Sequence, residues 1–532
     1  MRHFYSYGPV SCANHFCVER RTLVEHCTNQ IIGDLKSGGF YFTIWGPRQS
    51  GKTWLMKQVR KEIRNRYGGR FAIGTISMQG IIMDETEADD TFLKKIPKLM
   101  LDGFGMDVDP PGSWEEWSLF FHKNKGLFKR PVIVFIDEFD GLPAKIIDRL
   151  ATLFRDMHLN QGSYLLQGLG LIGVRTALGV ESGCGLPFNM QKSLHVPNLN
   201  FDEVRELFHQ YQEETGQKVT PEVVVSLFNV TQGHPGLVSW FGELLSEKYH
   251  PGPDKTIDLD IWKRAYRRAC NVEWNNTILS LIKKARTQYE AQVLEIFARS
   301  DIPFLLDRGW CNYLYLNGLI RSAVSMDDGG EESEVCRFSC PFVQKRLYKA
   351  LTYDLVGNFH PILPLNPFDE IQDMFESDKL ELNTILTRYK DFLSRLRAKG
   401  FTPWRQQFRS SDLRLREAAG YFHLYAWLQT VLSKQCVISP EFPTGSGKAD
   451  LHLKCRDKRG IIEIRIFTNA SEFKASVHRA ANYAVQAGLD TITIALFVPA
   501  EDEDVLSKLS GSKTIHGVRV TVVAIEWIWQ TN

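Results

Sequence analysis

No stretch of the 532-residue chain approaches 18 uninterrupted apolar residues, so no membrane-spanning helix is expected. The first ten residues, Met1 to Val10, lack an apolar run behind a positive start, which argues against a secretion leader. The ten cysteines form no CxxC pair, and the closest two, Cys336 and Cys340, have no second pair at zinc-ribbon spacing. Reduced thiols in a cytoplasmic protein are therefore expected. Charge bias is also missing, because 64 Lys and Arg face 62 Asp and Glu. Global charge thus points to no nucleic-acid or acidic partner, and any basic surface has to be local. What is present is an ordinary globular composition, 43% hydrophobic and 24% charged, over a length too great for one core.

The order of elements suggests a multidomain α/β protein. Tyr41 to Trp45 reads as a strand, Gly46 to Gly51 as a loop, and the following segment as a helix with Leu55, Val59 and Ile63 on one face. Further strands are expected at Val132 to Ile136 and Leu169 to Val174, which implies a parallel sheet between helices. Asp84 to Asp90, with five acids in seven positions, reads as a solvated loop. Helical segments at Phe201 to Gln212 and Pro221 to Asn229 precede a Gly-His-Pro breaker at 233 to 235. A small winged helix is expected from a helical run leading into Tyr313 to Ile320, an acidic turn and a strand at Val335 to Ser339. Pro361, Pro364 and Pro367 mark a linker. The expected boundaries are 1–195 for an α/β core, 196–284 for a helical segment, 285–356 for the winged helix, 357–400 for a linker with helix, and 401–532 for a C-terminal α/β domain.

Gly46, Pro47, Arg48, Gln49, Ser50, Gly51, Lys52 and Thr53 match GxxxxGK[ST] between a strand and a helix, the setting that this motif requires. The glycines let backbone N–H groups approach phosphates, Lys52 reaches the β- and γ-phosphates of ATP, and the Thr53 hydroxyl ligates Mg²⁺. Asp137 and Glu138 follow the next strand and should emerge at the same sheet edge, Asp137 to hold Mg²⁺ and Glu138 to orient or deprotonate the attacking water. With FYFTIWGPRQSGKTWLMKQV, VIVFIDEFDGL, LIGVRTAL, LPFN and TQGHPGLV, residues 10 to 260 resemble the signal-transduction ATPases with numerous domains, a branch of the AAA+ superfamily that includes archaeal-type ATPases. The resemblance implies a RecA-like P-loop core, Arg175 as a sensor of the γ-phosphate, Gly233 and Pro235 as a lid GxP motif, Phe16 to Arg21 as a segment lining the adenine, and a winged helix after the lid.

In the C-terminal domain, helix 411–433 and strands near 437, 450, 461, 491 and 518 are expected, with a helix over 472–487. A Gly-rich turn leads into Asp450, and after a turn at Asp457 to Gly460 the return strand carries Glu463 and Arg465. A hairpin brings the two carboxylates to similar depth, and Glu463 and Arg465 share a face. Two carboxylates and a cation suit phosphodiester hydrolysis with Mg²⁺, or Mn²⁺, but equally a surface ion pair. FPTGSGKADLHL, IIEIRIF and RAANYAVQAGLD, over about residues 400 to 530, resemble the PD-(D/E)xK nuclease superfamily. That resemblance implies a restriction-endonuclease-like fold with Glu417 as the helix acid, Asp450 and Glu463 as metal ligands, and Arg465 in the place of the motif lysine. A guanidinium stays protonated and cannot accept a proton, and Arg479 stands where the family often has Gln. Lys448 and Lys474 are substitutes for the missing lysine.

Residues 379 to 420 hold ten Lys or Arg against four acids, interleaved with Phe392, Phe401, Trp404 and Phe408, and read equally as a nucleic-acid contact or a solvated helix face. The run Lys263, Arg264, Arg267, Arg268 reads as lid surface. The expected function is an ATP-binding regulatory protein whose nucleotide state controls a nuclease-like domain acting on nucleic acid, in defence or mobile-element biology as the resemblance implies. One rival is an ATP-dependent switch or scaffold with an inactive nuclease fold. Another is a homo-oligomeric motor with a trans-acting arginine, for which Arg155 is the candidate.

Overall fold

The computed structural model describes residues 2–35, 38–84, 89–173, 193–298, 302–326, 332–356, 380–398, 413–432, 436–444, 447–455, 457–499 and 502–527. Packing divides the chain into two compact units. The first comprises Met1–Leu281, Leu305–Ile320 and Ser339–Val343, and the second Ile282–Phe304, Arg321–Phe338 and Gln344–Asn532.

The first unit begins with α1 (Arg21–Ile32), β1 (Tyr41–Trp45), α2 (Lys52–Tyr67), β2 (Ala72–Ser77), α3 (Asp89–Leu93), α4 (Ile96–Phe104) and α5 (Trp114–Leu119). It continues through β3 (Val132–Asp137), α6 (Ala144–Leu159), β4 (Leu166–Gly173) and β5 (Ser193–His195). The five strands form a parallel sheet in the order β2-β3-β4-β1-β5. Alternation along β3 explains its unbroken apolar sequence. Val132, Val134 and Ile136 enter one core with Phe92, Trp117 and Phe154, whereas Ile133 and Phe135 enter the other with Leu55, Val59 and Ile63 of α2. The result is a layered α/β architecture, a parallel sheet between two apolar cores.

Four helices follow, α7 (Phe201–Thr215), α8 (Pro221–Thr231), α9 (Pro235–Glu243) and α10 (Leu259–Asn271). Asn200 and Glu203 close a capping box at the start of α7, and Asp258 caps α10. Next come α11 (Asn276–Thr287), α12 (Glu290–Ala298), α13 (Gly309–Leu316), β6 (Ile320–Met326), β7 (Glu332–Phe338) and α14 (Pro341–Val356). The run up to Ile320 is thus helix only as far as Leu316. Gly318, with φ +77°, turns the chain, and Ile320 begins a strand that pairs with the next.

The second unit also contains α15 (Leu382–Ala398), α16 (Leu413–Leu432), β8 (Cys436–Thr444), β9 (Gly447–Cys455), β10 (Lys458–Ile466), α17 (Ala470–Gln486), β11 (Thr491–Val498), α18 (Glu503–Leu509), β12 (Gly511–Ile515) and β13 (Val518–Glu526). Its sheet is mixed, in the order β12-β13-β11-β10-β9-β8, with β10, β11 and β13 parallel. The polar strand β12, four of whose five residues are exposed, has no hydrophobic alternation to announce it. The β9–β10 turn is tighter than Asp457 to Gly460, because Lys458 already pairs with Cys455.

The expectation of reduced thiols throughout is corrected. Cys12 is bonded to Cys17, and Cys436 to Cys455, which face each other across β8 and β9. Spacing gave no sign of the second pair, since the strand register brings the residues together. The free thiols among the described residues are Cys27, Cys270, Cys311, Cys336 and Cys340, all buried. No helix of the described residues is long and apolar enough to cross a membrane. The linker prolines, Arg175, and Phe401, Trp404 and Phe408 lie outside the described residues.

Candidate nucleotide and carboxylate sites

The loop between β1 and α2 is shaped by its glycines and by Gln49. Gly51 (φ +93°) and Gln49 (φ +60°) take left-handed conformations, which turn the loop back over the start of α2. A Cβ on Gly46 would lie 2.7 Å from Ser50 Oγ. Lys52 Nζ donates to the carbonyls of Gly46 and Pro47, each at 2.8 Å. Those carbonyls hold the ammonium over the loop, where an incoming phosphate competes for it. Ser50 is 1% exposed, and its hydroxyl has no partner among the described residues. Such an unsatisfied buried group in a phosphate cradle fits a bound polar ligand.

Thr53 Oγ1 donates to Asp137 Oδ2 at 3.0 Å, across 84 residues of sequence. The hydroxyl and carboxylate that would share Mg²⁺ are therefore adjacent, and this donor set fits the ion. Glu138, at φ +56°, leaves the end of β3 with its N–H bonded to Asp137 Oδ1 at 3.0 Å. Burial, reinforced by Asp137 and Asp140 and opposed by Lys52 and Arg48, raises the Glu138 carboxyl above its ordinary value.

Helix α9 meets this loop through Gly236, the residue after the proline expected to belong to a lid. Pro235 is the first residue of α9, and the N–H of Gly236 donates to the Gln49 carbonyl at 3.2 Å. Gly233 has a direct reason to be glycine: with φ +69°, a Cβ there would lie 1.8 Å from the Leu199 carbonyl oxygen. His234 Nδ1 accepts from Leu237 N–H at 3.3 Å, and burial pushes this imidazole down to about 4. Gly236 was not singled out in the sequence, and only its contact with Gln49 reveals it. The ring of Phe16 is buried against Phe4 and Tyr211, with Arg2 over its face. Arg20 binds Glu203 at 3.0 Å and the carbonyls of Pro197 and Asn198.

In the second unit, the β9–β10 register pairs Leu451 with Ile462, which sets Asp450 opposite Glu463. Both are buried, at 5% and 0% exposure. Glu463 Oε2 accepts from Asp450 N–H at 3.3 Å, and Asp450 Oδ2 accepts from Ile464 N–H at 2.7 Å. Arg465 crosses between them: Nη1 donates to Asp450 Oδ2 at 3.1 Å, and Nη2 donates to Glu463 Oε1. The Tyr421 hydroxyl donates to the Asp450 carbonyl at 3.1 Å, and the buried Tyr483 phenol is pushed upward, first by burial and then by Glu463.

The donor set here does not fit a divalent metal, because a permanent cation already bridges the two carboxylates. Among the described residues, no group of three or more His, Cys, Asp or Glu is placed to hold a metal. Glu417 lies on α16, but its side chain is outside what is described, as is that of Lys448. Lys474 and Arg479 are exposed on α17. In the basic stretch, Arg397 is committed to Glu526 and Phe392 packs against Trp427. In the lid run, Lys263 pairs with Asp260 and Arg268 donates to the Tyr249 hydroxyl. Arg155 is exposed on α6.

No protein-family model matches the chain, and no curated protein matches it. Among solved structures it is similar to the Walker-type ATPase of Pyrococcus abyssi, with 14% identity over 65% of this chain and 99% of the other and a TM-score of 0.43. Cdc6p of Pyrobaculum aerophilum is 11% identical over 65% and 97%, with a TM-score of 0.37. The Orc1 protein of Aeropyrum pernix, solved in complex with DNA, is 12% identical over 62% and 92%, with a TM-score of 0.31.

Proposed function

We propose that the protein binds and hydrolyses ATP with Mg²⁺, and that its nucleotide state regulates a C-terminal α/β domain that binds nucleic acid or protein without cutting. The observation that carries the ATPase reading is the Thr53–Asp137 hydrogen bond at 3.0 Å beneath a loop whose lysine donates to the carbonyls of Gly46 and Pro47. Lys52 would leave the carbonyls for the β- and γ-phosphates, Thr53 and Asp137 would hold Mg²⁺, and Glu138 would orient and deprotonate water. Its raised pKa favours that last role, since a stronger base accepts the proton more readily. Arg175 would complete the site as the sensor of the γ-phosphate, and Pro235 would set the lid against the nucleotide. In this reading the ATPase core spans 1–195, the lid 196–284, the winged helix 285–356, the linker 357–400 and the effector domain 401–532. Purified protein should turn over ATP, and Lys52→Ala should abolish turnover; full turnover in that variant overturns the reading.

A second reading, a Mg²⁺- or Mn²⁺-dependent nuclease of the PD-(D/E)xK type, draws support from the opposed, buried Asp450 and Glu463. Arg465 argues against it, because it neutralises both carboxylates and cannot act as a base. Incubation with plasmid, linear duplex, single-stranded DNA and RNA, with either metal and with or without ATP, separates the two. Cleavage that Asp450→Ala and Glu463→Ala both abolish establishes the nuclease, and intact ATP turnover without cleavage establishes the switch. Gel filtration with and without ATP tests assembly into a homo-oligomer. The cytoplasm, and a role in defence or mobile-element biology, belong to the same proposal.

A further inference from the structure

Gln49 sits within the loop between β1 and α2, and its side chain and carbonyl together bond it to three other segments of the first unit. Its Nε2 donates to the Ser6 carbonyl at 2.7 Å, and its Oε1 accepts from the Thr277 hydroxyl of α11 at 2.6 Å. Its own carbonyl accepts from Gly236 N–H in α9 at 3.2 Å. Ser6 in turn grips the far end of α9: its N–H donates to Glu243 Oε1 at 2.6 Å, and its hydroxyl donates to Glu243 Oε2 at 2.8 Å. The circuit therefore closes, running from the loop to the N-terminal strap, along α9 and back to the loop.

Two of its members are shielded from water, and Gln49 and Glu243 are half-buried. Ser6 is 6% exposed and Thr277 2%. Two glycines keep the circuit tight, because a Cβ on Gly236 would lie 2.5 Å from Gln49 Oε1, and one on Gly242 would lie 2.3 Å from the Phe4 ring. The strap is also anchored on α7, where Arg2 N–H donates to Glu214 Oε2 at 3.0 Å. Sequence alone cannot show such a device, since Ser6, Gln49, Gly236 and Thr277 are far apart along the chain and no motif links them.

We infer that Gln49 is a positioning residue that makes the shape of the phosphate loop and the docking of the lid one event, with the strap of residues 2–8 as the clamp. Its left-handed backbone, φ +60°, shapes the loop, while its side chain holds that backbone to Ser6 and Thr277 and its carbonyl holds it to Gly236. A loop that populates the binding-competent shape only fractionally binds its ligand more weakly by that fraction. Loss of the anchors therefore raises the apparent ATP dissociation constant without altering the reacting groups. The inference deepens the ATPase reading and rests on it.

The test uses the full chain. Thr277→Val removes one hydroxyl donor and should raise KM for ATP about fivefold while kcat changes less than twofold, and Thr277→Ser should restore KM. Gln49→Met, which keeps length but removes both side-chain bonds, should raise KM about tenfold or more, and Gly236→Ala should act in the same direction. Hydrogen exchange provides the readout that a purely structural role would not move. In the natural protein, a non-hydrolysable ATP analogue should protect residues 2–8 and 235–243 together, and in Gln49→Met this nucleotide-dependent protection should vanish while the melting temperature stays within a few degrees. Unchanged KM and unchanged protection in Gln49→Met, with ATP still bound, overturn the inference alone. Failure of the natural protein to bind the analogue overturns the ATPase reading and the inference with it.

Discussion

The loop after β1 and the carboxylate pair within β9 and β10 both gather charge on a sheet, but they satisfy that charge in opposite ways. At the loop, Lys52 rests on two backbone carbonyls and the buried Ser50 hydroxyl has no described partner, so an anionic ligand gains bonds by entering. At the carboxylate pair, Asp450 and Glu463 share Arg465 and backbone N–H groups, so an incoming cation has to displace a guanidinium already in place. The first is poised for exchange and the second is closed by its own side chain. Residue types alone therefore do not identify a site; what matters is whether the fold has already filled their valences.

The sharpest way to break this comparison is at Glu138. Glu138→Gln should keep ATP binding and lower kcat by about 10²–10⁴-fold, as measured by single-turnover hydrolysis. Because the carboxyl is raised, the base form is lost on acidification at a higher pH than for an ordinary glutamate. The acid limb of the kcat/KM profile should accordingly lie above the value of an ordinary glutamate and disappear in the variant.

At the carboxylate pair the expected effect is on stability rather than on chemistry. Asp450→Ala leaves Arg465, itself 19% exposed, facing one carboxylate fewer and should destabilise the second unit by about 3 kcal/mol in denaturant melts. A change below about 0.5 kcal/mol would show that the guanidinium is easily released and would reopen the case for a metal there. Cys436→Ser opens a closure of 19 residues and should cost about 2–3 kcal/mol, with no effect on nucleotide affinity. A changed ATP affinity would show that the two units respond to each other at rest.

The smallest effect concerns His234. Its imidazole is neutral and buried, lowered to about 4 from an ordinary 6.5, so between those values the unfolded chain binds the proton that the folded lid refuses. Stability contributed at this residue is present above about pH 6.5 and is lost progressively as the pH falls towards about 4. His234→Asn, which keeps an N-cap acceptor, should flatten that portion of the stability profile.

Much of the nucleotide site was legible because its residues are contiguous. A GxxxxGK[ST] run after a β-rich pentapeptide leaves few alternatives, and an acidic pair at the end of an apolar strand belongs at the same sheet edge. The hairpin that opposes Asp450 and Glu463 was also readable, since the two lie at similar distances from one turn. What escaped depends on residues distant in sequence: the Cys436–Cys455 bond set by strand register, the polar strand β12, and the contact of Gly236 with Gln49.

By itself, then, the sequence determined the phosphate loop, the strands and helices with a clear apolar pattern, and the identity of the charged groups, because these follow from local spacing and from periods of two and 3.6 residues. The tertiary structure decided what those groups do when brought together. It gave Thr53 to Asp137, turned Gln49 towards Ser6 and Thr277, and set Arg465 between two buried carboxylates. The physical reason is that a hydrogen bond or an ion pair is fixed by distance in space and by the water excluded around it, and neither is written in the spacing of residues along the chain.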